Sequence, residues 1–444
     1  MMGARLSRWT PAYFAVAVLA LLGAEALVAG GFAYPAAPLL APWSLAAVHL
    51  VTIGWLSVLM LGALHQFLPV IAARPLASDR LAFVSLILIT IGLAAMLLGF
   101  LALDGSAAAI AFLPLGGSVV LLGFLAAIAN LGWTLRGAAA LPLPARFVAA
   151  ALVFLVLTAL LGIGFGCAIA TASAPGWVAL LFERGLRLHL LAGIGGWFAL
   201  TAVGVSYKLL PMFMLAGEER GPVGTGVLLL MAGGIAVAWT GGIVAVLGDS
   251  TWSPAISVGE DAAGAGIVLY LWDMVRLYRG RQRRALELNA VTAAVSFGFL
   301  GVAVGGLIVA RAADGGEDWV PPLLLLMLLG WLSLLGLGQL YKIVPFLAWL
   351  ERYAPRLGRG PVPRVQDLVN ETRARRWFVA FGLGSLIVAA AAMAASPTVA
   401  RVGAAILFLS PLAIAWELIP SRRASPAPAA PAVSTSLQHR GSPS

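Results

Sequence analysis

The stretch His49 to Val70, HLVTIGWLSVLMLGALHQFLPV, decides how the rest of the chain is read. It predicts one long apolar helix, and it holds two of the four histidines. Gly54, Trp55, Gly62, His65, Gln66 and Pro69 recur as Gly196, Trp197, Gly204, Tyr207, Lys208 and Pro211. They recur again as Gly330, Trp331, Gly338, Tyr341, Lys342 and Pro345. Internal spacings are the same in each copy, and the copies lie 142 and 134 residues apart. Six matching positions in three copies mark an internal repeat. They specify no chemistry by themselves.

Composition sets the class. The 444 residues are 61% hydrophobic and only 10% charged, with a mean hydropathy of +0.99. So few charges cannot cover a water-exposed surface, so the chain reads as a polytopic membrane protein with the lipid bilayer as its main partner. The net charge of +10 does not imply nucleic acid. The arginines sit in short loops between apolar runs, as topology determinants do. The single cysteine, Cys167, excludes a disulfide framework or a Cys-rich metal site. Arg5 and Arg8 before the run from about Pro11 to Ala33 superficially resemble a secretory signal, but the run is too long for a signal core and reads as a retained first helix.

Twelve spans are expected, at about 11–33, 43–72, 81–103, 106–131, 145–172, 187–216, 221–247, 254–278, 288–312, 319–350, 376–396 and 398–420. Each is long enough to cross ~30 Å of hydrocarbon at ~1.5 Å per residue. The eighth is interrupted by Glu260 and Asp261. Arginines precede span one and follow spans two, four, eight and ten, which places both termini in the cytoplasm of a bacterial-type inner membrane. The repeat falls on spans two, six and ten, so the unit is four helices. NLGWTLRG (130–137) and DMVRLYRG (273–280), 143 residues apart, end spans four and eight in the same way. The fold class is therefore all-α, with twelve transmembrane helices in a pseudo-threefold arrangement of four-helix units (about 1–140, 141–285 and 286–420). The Pro/Ala/Ser-rich tail, 421–444, is expected to be disordered and cytoplasmic.

At 100° per residue Gly54, Gly62, His65 and Pro69 share an arc of about 80°. Such a face suits a packing seam, or the close approach of a flat cofactor. Lys208 and Lys342 are the only lysines among 28 basic residues, and both hold one repeat position. They either snorkel to the interface or join His65, Tyr207, Tyr341 and Gln66 in a polar ring at the cytoplasmic mouth. Such a ring could carry protons or hold an anionic group. His49 and His189 begin spans two and six at similar depth. Imidazole is a common axial ligand of haem iron; a lone intramembrane histidine is more often a satisfied hydrogen-bonding group, and two at matched depth bring the two readings level. His49 and His65 are about 24 Å apart along the helix and cannot share a metal. On an ideal helix His189 shares the repeat face and His49 points about 180° away, so a local bulge is needed to bring His49 round. Glu25, near the middle of span one, is a costly carboxylate and so a functional candidate, or else a neutral hydrogen-bonded group.

The chain resembles subunit I of the haem-copper oxidases. Those proteins have twelve helices in three arcs of four, with histidines on helices two, six, seven and ten. His49 matches the outer-end histidine of helix two, a haem ligand in that family. GALHQFLP (62–69), GVSYKLLP (204–211) and GQLYKIVP (338–345) resemble the glycine-to-proline endings of helices two and ten. The departures are as informative. His189 is followed by Leu190, Leu191 and Ala192 where the family has its helix-six copper motif. Span seven lacks paired histidines and span ten has none. An oxygen-reducing haem-copper centre needs about six imidazoles, so the resemblance implies haem without copper, and no terminal oxidase activity. Divergent relatives such as the NnrS-type haem proteins of nitric-oxide metabolism are the nearest look-alikes.

Three functions follow as expectations. The first is a haem-binding, oxidase-like protein, not itself an oxygen reductase, serving electron transfer, gas sensing or respiration beside partner subunits. The second is a cofactor-free transporter or channel with a hydrated path past Glu25. The third is an assembly partner of a respiratory complex.

Overall fold

The computed structural model describes residues 7–423 apart from 73, 106, 137–140, 172, 218–220, 249, 314, 315, 359 and 360. The long helices are α1 (Thr10–Ala29), α2 (Pro42–Ala72), α3 (Asp79–Asp104), α4 (Ala109–Leu135), α5 (Leu143–Ala170), α6 (Leu186–Met214) and α7 (Gly221–Leu247). After α8 (Ser253–Arg279) come α9 (Leu288–Ala312), α10 (Gly316–Arg352) and α11 (Glu371–Met393), then α12 (Pro397–Arg423). Local signals set several starts. Ser78 caps α3 by accepting from the Leu81 N–H at 3.2 Å, Asn370 caps α11 through the Arg373 N–H at 2.9 Å, and prolines open α5 and α8. Of the tail expected to be disordered, Ser421 to Arg423 continue α12. The remainder, with His439, lies outside the described residues.

Among the described residues eleven helices are long and apolar enough to cross a membrane. The one that falls short is α8, where Glu260, Asp261, Asp273, Arg276 and Arg279 dilute the apolar run. It is nonetheless a continuous helix of 27 residues locked against α7. A Cβ on Gly234 would lie 2.5 Å from the Gly259 carbonyl, and one on Gly259 would collide with that of Gly234.

Contacts collect the arginine-bearing loops at one end of the bundle. The Ser7 N–H donates to Gln66 Oε1 at 2.9 Å, and Arg74 donates to the Arg136 carbonyl at 2.5 Å. The Arg283 N–H donates to the Met214 carbonyl at 3.2 Å, and the Leu288 N–H to Glu371 at 3.1 Å.

The repeated glycines turn toward the helix before them in sequence. A Cβ on Gly54 or Gly62 would meet α1 at Ala20 (2.6 Å) or Tyr13 (2.5 Å). One on Gly196 or Gly204 would meet α5 at Phe154 or Phe147, and one on Gly330 or Gly338 would meet α9 at Phe299 (2.6 Å) or Thr292 (3.1 Å). Each pair steps eight residues on one helix and seven on the other. The glycine face is thus a helix–helix seam filled by side chains. It does not line the bundle axis, and it leaves no face there for a flat cofactor.

Each repeated helix also contains a π-helical segment around its Gly-Trp pair: Leu50–Ser57, Leu191–Ala199 and Leu326–Ser333. The three tryptophans, all within 1% of complete burial, link these segments. Trp55 Nε1 donates to Ser333 Oγ at 2.9 Å, and Trp197 Nε1 donates to Ser57 Oγ at 3.0 Å. Both serines pass the bond on to carbonyls five residues back, Thr52 (2.8 Å) and Leu328 (2.6 Å). By the same rule Trp331 would donate to residue 199. That residue is alanine, and Trp331 Nε1 is buried without a partner. Ala199→Ser is therefore expected to supply the missing link and stabilise the fold by about 1 kcal/mol. Ser57→Ala should cost about 1–3 kcal/mol by stranding the Trp197 N–H. Thermal unfolding of the two purified variants checks both signs.

Candidate functional site

A cavity of about 2280 Å³ occupies the half of the bundle away from the arginine-rich loops. On the repeated helices its lining stops at Ser57, Ala199 and Leu329, the level of the tryptophan links. Ordinary small-molecule pockets are roughly 300–1,000 Å³. The walls are mostly apolar, and the polar groups on them include Glu25, His49, Ser57, Arg187, His189 and Glu260. Tyr34, in the loop before α2, adds a phenol whose pKa burial pushes up.

His49 and His189 both open on this cavity, within electrostatic reach of each other. His49 is the residue before the first π segment. That segment follows His49 directly and contains Gly54, the first glycine of the seam, so the phase of an ideal α-helix does not carry from the seam to His49. The departure that His49 needed is present. Its Nδ1 lies 2.8 Å from the Leu45 carbonyl. A proton on Nδ1 donates there and leaves Nε2 as a bare lone pair, the arrangement a metal ligand requires. The ring packs against Phe100 with centroids 4.7 Å apart. His189 packs against Phe165 at 5.5 Å, and Gly162 leaves room for it, since a Cβ there would lie 3.2 Å from His189 Cε1. Its Nδ1 is buried with no hydrogen-bond partner. His49 and His189 thus line one mostly apolar cavity, each offering an imidazole of the kind that haem iron takes as a ligand. Among the described residues no three or more His, Cys, Asp and Glu side chains are grouped to hold a bare metal ion.

The other sequence candidates are not gathered here. His65 is fully buried against Tyr13, with ring centroids 5.4 Å apart and neither nitrogen hydrogen-bonded. Tyr207 packs edge-on against Tyr270 at 5.5 Å and beside Phe147 at 5.7 Å, and Lys208 is partly buried. Tyr341 donates to Glu417 at 3.4 Å, and Arg373 binds the other oxygen of that carboxylate at 2.9 Å. Lys342 pairs with Glu287 at 2.5 Å, and so does Arg283. Glu25, by contrast, sits on the cavity wall.

Sequence reasoning missed two features. One is the tryptophan–serine linkage, signalled by Trp-x-Ser in the first and third copies against Trp-Phe-Ala in the second. The other is the ionic clasp at the cavity mouth. Glu260 binds Arg187 of α6 and lies 3.9 Å from Arg311 of α9, which also binds Asp261 at 2.5 Å. No family model matches the chain, and no curated protein matches it significantly.

Proposed function

We propose that this is an oxidase-like integral membrane protein that holds a haem between His49 and His189. It acts in electron transfer or as an accessory to respiration or nitric-oxide metabolism, beside respiratory partner subunits. The observation that carries the proposal is the convergence of two imidazoles, from helices 140 positions apart in the chain, on one apolar cavity. His49, oriented by the Leu45 carbonyl, and His189, seated over Gly162, would hold it. A bound haem would supply a one-electron redox centre between mostly apolar walls. The purified protein is expected to show a Soret band and the sharp visible bands of a bis-imidazole haem on reduction. Protein purified under haem-replete conditions with no Soret absorbance would end the proposal.

The same reading includes twelve crossings, pseudo-threefold symmetry and both termini in the cytoplasm of a bacterial-type inner membrane. The glycine seams and the π segments recur at equivalent places on α2, α6 and α10, and two of the three possible tryptophan links are made, which supports the threefold arrangement. Support for α8 as a crossing comes from its two ends. Glu260 and Asp261 bind at the cavity mouth, whereas Tyr278 donates to the Ala290 carbonyl at 2.6 Å, at the arginine-rich end. The chain has one cysteine, Cys167, so thiol mapping is direct. In a Cys167→Ala background an impermeant maleimide should label Asp261→Cys from outside, and Arg281→Cys only after permeabilisation. Labelling of both from the same side would show that α8 does not cross.

A further inference from the structure

We propose that the Glu25 end of the cavity binds a lipophilic organic cation. This inference is independent of the haem. Glu25 is 3% exposed, and neither carboxylate oxygen has a hydrogen-bond partner. A carboxylate in such a place is costly unless a positive charge or donor meets it. α1 packs between α2 and α12. Val51, Val388, Ala404 and Leu407, from α2, α11 and α12, line the cavity with it. The two guanidinium groups on the wall, Arg187 and Arg311, are bound by Glu260 and Asp261, so neither is left for Glu25.

Charge around the mouth points the same way. Glu260, Asp261, Glu317 and Asp318 line the cavity with Glu25, making five carboxyl side chains against two arginines. An excess of negative charge at a low-dielectric opening concentrates cations. The walls select among them. A hydrated metal ion would need several oxygen ligands to replace its water, and no cluster of that kind exists among the described residues. An organic cation brings its own apolar surface, which the aliphatic wall can cover, and one diffuse charge, which one carboxylate can balance.

Tetraphenylphosphonium and tetraphenylborate have nearly the same shape and opposite charge, so the pair isolates the role of Glu25. Equilibrium dialysis with the purified full-length protein should show saturable, one-to-one binding of tetraphenylphosphonium. Tetraphenylborate should fail to compete for that site. Glu25→Gln, eluting as a monodisperse peak, should weaken phosphonium binding at least tenfold and leave any haem absorbance as in the parent. The proposal is overturned if the phosphonium does not bind, if the borate competes equally, or if Glu25→Gln binds as tightly as the parent. The borate comparison needs only the parent protein, so the test holds even if the variant fails to fold.

Discussion

Replacing either His49 or His189 by alanine is expected to abolish the bis-imidazole spectrum. Removing an outer-shell partner of a metal ligand typically weakens metal binding about 10–100-fold. Loss of an axial ligand itself should exceed that, so haem retained through purification should fall more than about 100-fold. The two variants need not behave alike. His49 is fixed by the Leu45 carbonyl and is the better oriented ligand. His189, whose Nδ1 has no hydrogen-bond partner, is held by packing against Phe165 and Gly162. A His189→Ala protein that keeps some haem should therefore show a five-coordinate, high-spin spectrum with His49 as the remaining ligand. His65→Ala is the control. That ring is buried against Tyr13 and does not line the cavity, so its removal should leave the Soret maximum where it was. Unchanged spectra in both axial variants would defeat the assignment.

The second large effect concerns the seam. In Gly196→Ala the new methyl group would collide with Cβ and Cγ of Phe154. Those atoms lie next to the α5 backbone, and no rotamer change removes Cβ, so the helices must separate. Overpacking of this kind costs about 1–3 kcal/mol. Gly338→Ala, at the second glycine of its copy and the counterpart of Gly204, is looser: the added Cβ meets Thr292 at 3.1 Å, where a shift of a few tenths of an ångström suffices. Its cost should be offset by the ~1 kcal/mol by which alanine exceeds glycine as a helix former. Melting of the two variants in detergent should therefore diverge, with Gly196→Ala several degrees lower. Equal melting points would show that the α5–α6 seam is looser than these contacts imply.

The long helices were legible because an apolar run of twenty residues has few other uses, and the seam was legible because glycine spacing survives in all three copies. The phase of the histidines was not. Reading 100° per residue assumes α-helix throughout, and the π segment that starts at Leu50 and includes Gly54 breaks that assumption without any marker in residue type. The cavity was illegible for a different reason: it is the space left where side chains from distant helices fail to meet. Glu260 and Asp261 read as an interruption of a span because their partners, Arg187 and Arg311, lie 73 and 50 residues away. Glu25 stood out as a costly carboxylate from sequence alone. Only the packing showed that it has no donor.

The clasp formed by Glu260 and Asp261 constrains how the protein is made. A ribosome that has just released α8 has already supplied Arg187, but Arg311 has yet to be synthesised. Until α9 emerges, the nascent helix presents an acidic pair that the translocation machinery has no reason to pass into lipid. With α8 crossing as proposed, its insertion is a joint event of α7, α8 and α9 rather than three separate ones. Chains truncated before Arg311 should be handed to membrane proteases instead of accumulating.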